Sequence, residues 1–195
     1  MQPYEKLIPG KFYHIYNRGI NSESLFKETS NYEHFLRLFE KYIDPVAETF
    51  AWCLMPNHFH FLIRIREFSN PDRVAEFFQG KNPSLAFSHL FNAYAQAFNK
   101  RFKRTGSLFE TPFKRKTIND SDYFKELIFY IHNNPVKHGF CKDLIDYPWS
   151  SYMTIISFHP TKLQREKVVG WFDSKTKFAA FHQAKHEEIY IEDLF

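Results

Sequence analysis

The sequence predicts an α+β domain, an antiparallel sheet with helices packed on one of its faces. Three observations predict it. Short segments that alternate apolar and polar residues are bounded by turn residues, as strands are. Segments with apolar residues at every third or fourth position lie between them, as helices do. The order is strand, helix, strand, strand, helix, strand, helix, which is a ferredoxin-like split βαβ arrangement.

Lys11–Asn17 (KFYHIYN) is the first strand, closed by the Arg18-Gly19 turn. Asn31–Ile43 places Phe35, Leu36, Leu38, Phe39, Tyr42 and Ile43 at helical spacing, with Ser30 and Glu33 positioned as a capping box. Asp44-Pro45 stops that helix. Val46–Leu54 is the second strand, and Met55–Asn57 turns the chain into a third, His58–Arg66, so that the two form a hairpin. A short helix is expected around Arg73–Phe78 and a longer one over Ser84–Phe102, with Leu85, Phe87, Leu90, Phe91, Tyr94, Ala97 and Phe98 on or near one face. An extended segment follows near Phe113–Ile118, then a helix over Tyr123–Asn133 that Pro135 limits. Beyond residue 150, Lys162–Trp171 and Lys177–Glu188 are expected as helices of a C-terminal extension.

A chain of 195 residues, 44% hydrophobic, can bury a core of its own in one domain. Aromatic residues reach 19%, more than packing needs, so core is the default for most and base stacking is open to some. Cys53 and Cys141 make no disulfide framework and no thiolate zinc site, which favours a reducing, cytoplasmic setting. The N-terminal MQPYEKLIPG has no apolar signal core, and no apolar run is long enough to span a membrane.

The chemistry-bearing stretch is Met55–Arg66. On a strand, residues two apart share a face, so His58 and His60 point one way and Phe59, Phe61, Ile63 and Ile65 point the other, into a core. Two neighbouring imidazoles bind a divalent metal if a third ligand reaches them. They serve equally as polar residues on a solvated sheet face. In the Tyr123–Asn133 helix, Phe124, Leu127, Ile128 and Ile131 form the core stripe, and Tyr130 and Asn134 stand one turn apart. A phenol can be a nucleophile and an amide oxygen a metal ligand, while simple packing also accounts for Tyr130.

The net charge of +4 would not by itself select a partner, but the charge is clustered. Between positions 99 and 117, Lys100, Arg101, Lys103, Arg104, Lys114, Arg115 and Lys116 face only Glu110, a surplus of six. Phe102, Phe109 and Phe113 interleave with them. Cations mixed with aromatics suit a surface that neutralises a nucleic-acid backbone and stacks bases. A solvated helix end and loop is the bland alternative.

His58-Phe59-His60 after Met55-Pro56-Asn57, together with Tyr130-Ile131-His132-Asn133-Asn134-Pro135-Val136, resembles the REP-associated tyrosine transposases. These are single-strand DNA transposases of the His-hydrophobic-His class. Asn17-Arg18-Gly19, Gly106–Glu110 (GSLFE) and Tyr147–Tyr152 (YPWSSY) agree with it, and the likeness covers roughly residues 11–152. It implies a transposase and nuclease domain over residues 1–150 and a helical extension of unassigned role over 151–195. It implies that His58, His60 and Asn134 bind Mg²⁺ or Mn²⁺, and that Tyr130 attacks a phosphate of single-stranded or hairpin DNA to leave a 5′-phosphotyrosine. Arg18 and the seven clustered cations become the expected DNA contacts, Arg18, Lys114, Arg115 and Lys116 foremost. The resemblance leaves monomer and homodimer both open. Phe109 and Pro112 stand where many relatives carry a tryptophan and a basic residue, which touches base-specific contacts rather than catalysis. Two other classes fit: a domesticated hairpin-binding protein that moves nothing, and a zinc nuclease in which Tyr130 only packs.

Overall fold

Alternation along the strands divides a four-stranded sheet into two apolar faces. The computed structural model describes residues 5–67, 82–120 and 122–184. Its elements are β1 (Phe12–Arg18), α1 (Thr29–Tyr42), β2 (Ala47–Met55), β3 (His58–Ile65), α2 (Pro83–Phe102), β4 (Lys114–Ile118), α3 (Asp122–Lys137), α4 (Tyr152–Ile156), α5 (Arg165–Trp171) and α6 (Lys175–Gln183). The sheet order is β2-β3-β1-β4, and every pairing is antiparallel. The expected α+β, ferredoxin-like sheet is therefore present. The helix expected around Arg73–Phe78 lies outside the described residues.

Helices cover both faces, not one. Tyr13 and Ile15 of β1 and Phe59, Phe61, Ile63 and Ile65 of β3 pack with Phe35 and Phe39 of α1 and Phe87, Leu90 and Tyr94 of α2. Phe61 stacks on Phe39 with ring centroids 4.3 Å apart. The opposite face carries Ala51, Cys53 and Met55 of β2 and Leu62 of β3, covered by Phe124, Leu127, Ile128 and Ile131 of α3. The second face needs a cover because Ala51, Cys53 and Met55 of β2 and Leu62 of β3 form an apolar patch beside the histidines, and leaving it to water would expose hydrophobic surface.

The C-terminal segment completes that cover. Val168, Phe172 and Phe178 are buried in the same cluster as α3. The chain first runs along the outer edge of β2, where the Leu54 amide donates to Trp149 O (2.9 Å) and the Ser151 amide to Trp52 O (2.9 Å). Trp149 stacks on Tyr32 of α1 at 4.4 Å. The Tyr147–Tyr152 stretch thus occupies an edge that would otherwise present unpaired backbone groups.

Helix α5 begins at Arg165 rather than Lys162 and α6 at Lys175 rather than Lys177, and positions 185–188 of the expected last helix lie outside the described residues. Two further boundaries differ from expectation for reasons the local chemistry gives. Helix α1 starts at Thr29, so Ser30 lies inside it, and the capping box is formed by Glu28 and Asn31 rather than by Ser30 and Glu33. Asn31 Oδ1 accepts from the amides of Lys27 and Glu28 at 3.0 and 3.1 Å. Helix α3 runs through Pro135 to Lys137. A proline so near the C-terminal end removes one backbone donor and leaves a single turn to be held, and the His138 amide still donates to Asn134 O at 3.0 Å.

Candidate functional site

Antiparallel pairing places Tyr16 opposite His60 and Arg18 opposite His58. On the other side of β1, Lys114 lies opposite Tyr16 and Lys116 opposite His14. These residues share the face on which α3 packs. Tyr130, Asn134 and His138 follow each other at four-residue spacing and turn toward the same place. The result is a cavity of about 520 Å³ lined by Tyr16, Asn17, Arg18, Asn57, His58, His60, Glu110, Lys114, Tyr130, Asn134, His138 and Phe140.

The rings are close. His58 and His60 centroids lie 5.2 Å apart, His60 and Tyr130 5.4 Å, and His58 and His138 5.3 Å. His58 Nδ1 is 2.7 Å from Asn57 Oδ1. An amide oxygen only accepts, so the proton sits on Nδ1 and Nε2 keeps its lone pair. His60 Nδ1 is 3.0 Å from Nε2 of His14, a buried residue of β1. Asn134 is buried and donates through Nδ2 to Tyr130 O at 2.9 Å. Its side chain is also within hydrogen-bonding reach of both His58 and the Tyr130 phenol.

Burial controls the charges. It lowers His58 to about 4, with help from the neighbouring His138 and Arg18 against the opposing contact with Asn134. His60 is pushed well below its usual range, again chiefly by burial. Burial raises Tyr130 to about 12, its contact with Asn134 acting the other way. Burial thus favours two neutral imidazoles beside a protonated phenol.

A divalent cation fits these donors. Burial favours the neutral, coordinating form of both imidazoles; His58 engages Nδ1 with Asn57 and keeps its Nε2 lone pair, His60 meets His14 through Nδ1, and Asn134 brings an amide group to the same spot. Among the described residues, no three His, Cys, Asp or Glu side chains form such a group. Beside the two imidazoles, the neutral amide of Asn134 is the candidate third donor, and this candidate set contains no thiolate and no carboxylate. Imidazole with oxygen ligands suits Mn²⁺ better than Mg²⁺, which prefers oxygen alone.

The expected DNA contacts separate into groups. Arg18 and Lys114 are exposed and line the cavity, Arg18 lying 3.6 Å from Glu110. Lys116 sits beside His14 on the α3 face of β4. Arg115 points to the other face, its guanidinium 4.0 Å from the Phe113 ring and donating to Ser84 Oγ of α2. Lys100 and Lys103 are exposed at the end of α2, where Lys103 closes the helix with φ of 52°. Arg101 pairs with Glu28 (3.1 Å), and Arg104 pairs with Glu23 (2.7 Å) while also donating to Ser107 O. Acids distant in sequence offset part of the local surplus.

The three agreeing stretches also find places. The Arg18 carbonyl accepts from the Glu110 amide at 2.9 Å, and Asn17 Nδ2 donates to Glu110 O at 3.1 Å. The Gly106–Glu110 segment is thereby fastened to the end of β1 at the cavity rim. Gly19 is required there, because a Cβ would stand 2.0 Å from the Glu23 carbonyl oxygen. Tyr16, Asn57 and His138 were not singled out from sequence as site residues. Tyr16 shows only through β1–β3 register, and His138 only once α3 is seen to pass Pro135.

No protein-family model matches the chain. A REP-associated tyrosine transposase of Haemophilus influenzae is 30% identical over 107 residues, covering 54% of this chain. A solved structure, a REP-associated tyrosine transposase bound to a REP hairpin, aligns with a TM-score of 0.60 over 82% of this chain and 89% of that one, at 19% identity. The chain is similar to REP-associated tyrosine transposases. The sequence likeness to the Haemophilus influenzae transposase spans 58% of that relative's length. The likeness to the hairpin-bound transposase is one of fold: the antiparallel sheet with helices packed on it.

Proposed function

We propose that this protein nicks and rejoins single-stranded or hairpin DNA, with Tyr130 as nucleophile and with Mg²⁺ or Mn²⁺ held by His58, His60 and Asn134. The observation that carries the reading is the convergence of two imidazoles from β3 with the phenol and amide of α3 on one cavity. The transposase relative and the hairpin-bound structural neighbour support it.

The cation's contribution is to polarise the scissile phosphate and to favour the phenolate over the phenol. Tyr130 lines the cavity, and in this reading the scissile phosphate sits against its phenol there. The phenolic proton passes to water as the oxygen attacks phosphorus, the bond to the 3′ oxygen breaks, and the phosphate stays on the tyrosine through its 5′ side. The departing 3′ oxygen takes a proton from water. Attack by another 3′ hydroxyl reverses the step and rejoins strands, so the phosphotyrosine stores the bond energy in between. Arg18 and Lys114 at the rim neutralise flanking phosphates, and Phe140, 49% exposed, offers a ring for a base.

Tyr130→Phe tests this. Labelled single-stranded DNA from the flanks of the gene, incubated with protein and Mn²⁺, is expected to give a covalent adduct with wild-type protein and none with the variant, hairpin binding being kept. Continued nicking by the variant would point to a metal-activated water. Hairpin binding with no adduct even in the wild type would mark a binding protein.

A further inference from the structure

The mechanism above leaves one buried polar contact unused. His14 is 2% exposed, and its Nε2 lies 3.0 Å from His60 Nδ1. Their rings are nearly parallel, 27° apart with centroids at 5.1 Å, and Tyr16 packs on both rings. The two histidines come from adjacent strands and are diagonal neighbours on one face, two residues off direct opposition, because Tyr16 lies opposite His60 and His14 opposite Leu62.

Two imidazole nitrogens at that distance share one proton: one donates and the other accepts. If His60 is to bind a cation through Nε2, its own proton must reside on Nδ1. His14 must then accept at Nε2 and carry its proton on Nδ1. We infer that His14 is a positioning residue that fixes the tautomer and ring orientation of His60 for cation binding. Metal-bound histidines generally hand their second N–H to a carboxylate, a carbonyl or water. Here a neutral imidazole takes that place, and it adds no negative charge to a site that must accept a DNA phosphate. His58 uses the Asn57 amide oxygen in the same way. Both ligands are thus oriented by neutral acceptors.

The inference rests on the proposed cation site, and the experiment separates the two. Mn²⁺ alone is titrated into the full chain and followed by electron paramagnetic resonance, for the wild type, His14→Leu and His14→Gln. Long-range ¹H–¹⁵N spectra of the metal-free wild type report the tautomer of His60. Second-shell losses typically cost ~10–100-fold in metal affinity. His14→Leu is expected to weaken Mn²⁺ binding by that factor. His14→Gln, which retains an acceptor, is expected to stay within about fivefold of wild type, and His60 is expected to be protonated on Nδ1. Unchanged affinity in His14→Leu, equal loss in both variants, or a His60 protonated on Nε2 would each overturn the role of His14 while leaving the cation site standing. Failure of the wild type to bind Mn²⁺ would overturn both. If His14→Leu does not fold, His14→Gln and the tautomer still decide.

Discussion

His58 and His60 sit where an imidazolium is disfavoured, and that sets how the site answers to acid. His58 is lowered to about 4 in the folded chain, against an ordinary value of 6.5. Protons compete for its ring nitrogen only as the pH falls toward that lower value. Mn²⁺ affinity, read by titration, is therefore expected to change by less than about threefold between pH 7.5 and 5.5. An exposed pair of ordinary imidazoles would lose affinity by ~10-fold or more across the same interval, and that result would remove burial as the controlling cause. Tyr130 shows the opposite side of the same physics: burial raises its phenol to about 12, still further above neutral pH, so the proposed attack would need a neighbouring cation to favour the phenolate.

At the scale of elements, the basic stretch of residues 99–117 divides by what each cation already touches. Arg104 is bound to Glu23, Asn99 and the Ser107 carbonyl, whereas Lys114 is exposed on β4 beside the cavity. Lys114→Ala is expected to weaken hairpin binding similarly across sequences and to lower the salt dependence by about one unit of slope. Arg104→Ala is expected to lower stability by about 1 kcal/mol and to leave that slope unchanged. Filter binding over a salt series, with denaturant melts, checks both; the reverse assignment would mean that Arg104 leaves its partners to meet DNA. Helix α3 carries the same lesson. Ending it at Pro135 hides His138, while the observed last turn brings His138 to within 5.3 Å of the His58 ring.

At the scale of the molecule, the second face of the sheet is closed by α3 together with residues that follow Tyr147. Phe178 of α6 is fully buried, and His132 of α3 lies 3.0 Å from His182 and 2.7 Å from Ser151 Oγ. The helix that presents Tyr130 is thus held from behind by the C-terminal segment. Phe178→Ala is expected to cost about 3–5 kcal/mol and to lower a single unfolding transition for the whole described fold, followed by calorimetry. Two separate transitions, with only the smaller one shifted, would show that the C-terminal helices unfold independently of the sheet.

Strand alternation and helical spacing were enough to place β1 to β4, α1 to α3 and the split of β3 into a histidine side and a phenylalanine side, because those depend on residues near each other in the chain. The pairing of Tyr130 with Asn134 was legible for the same reason, being one helical turn. The cavity itself was not. Tyr16 beside His60, His14 behind it, Asn57 against His58 and the acids that hold Arg101 and Arg104 all arise from strand register and the docking of distant segments. No local periodicity encodes which strand lies next to which, or which face a tail will cover; burial of the second apolar face decides that, and with it the protonation of every histidine in the site.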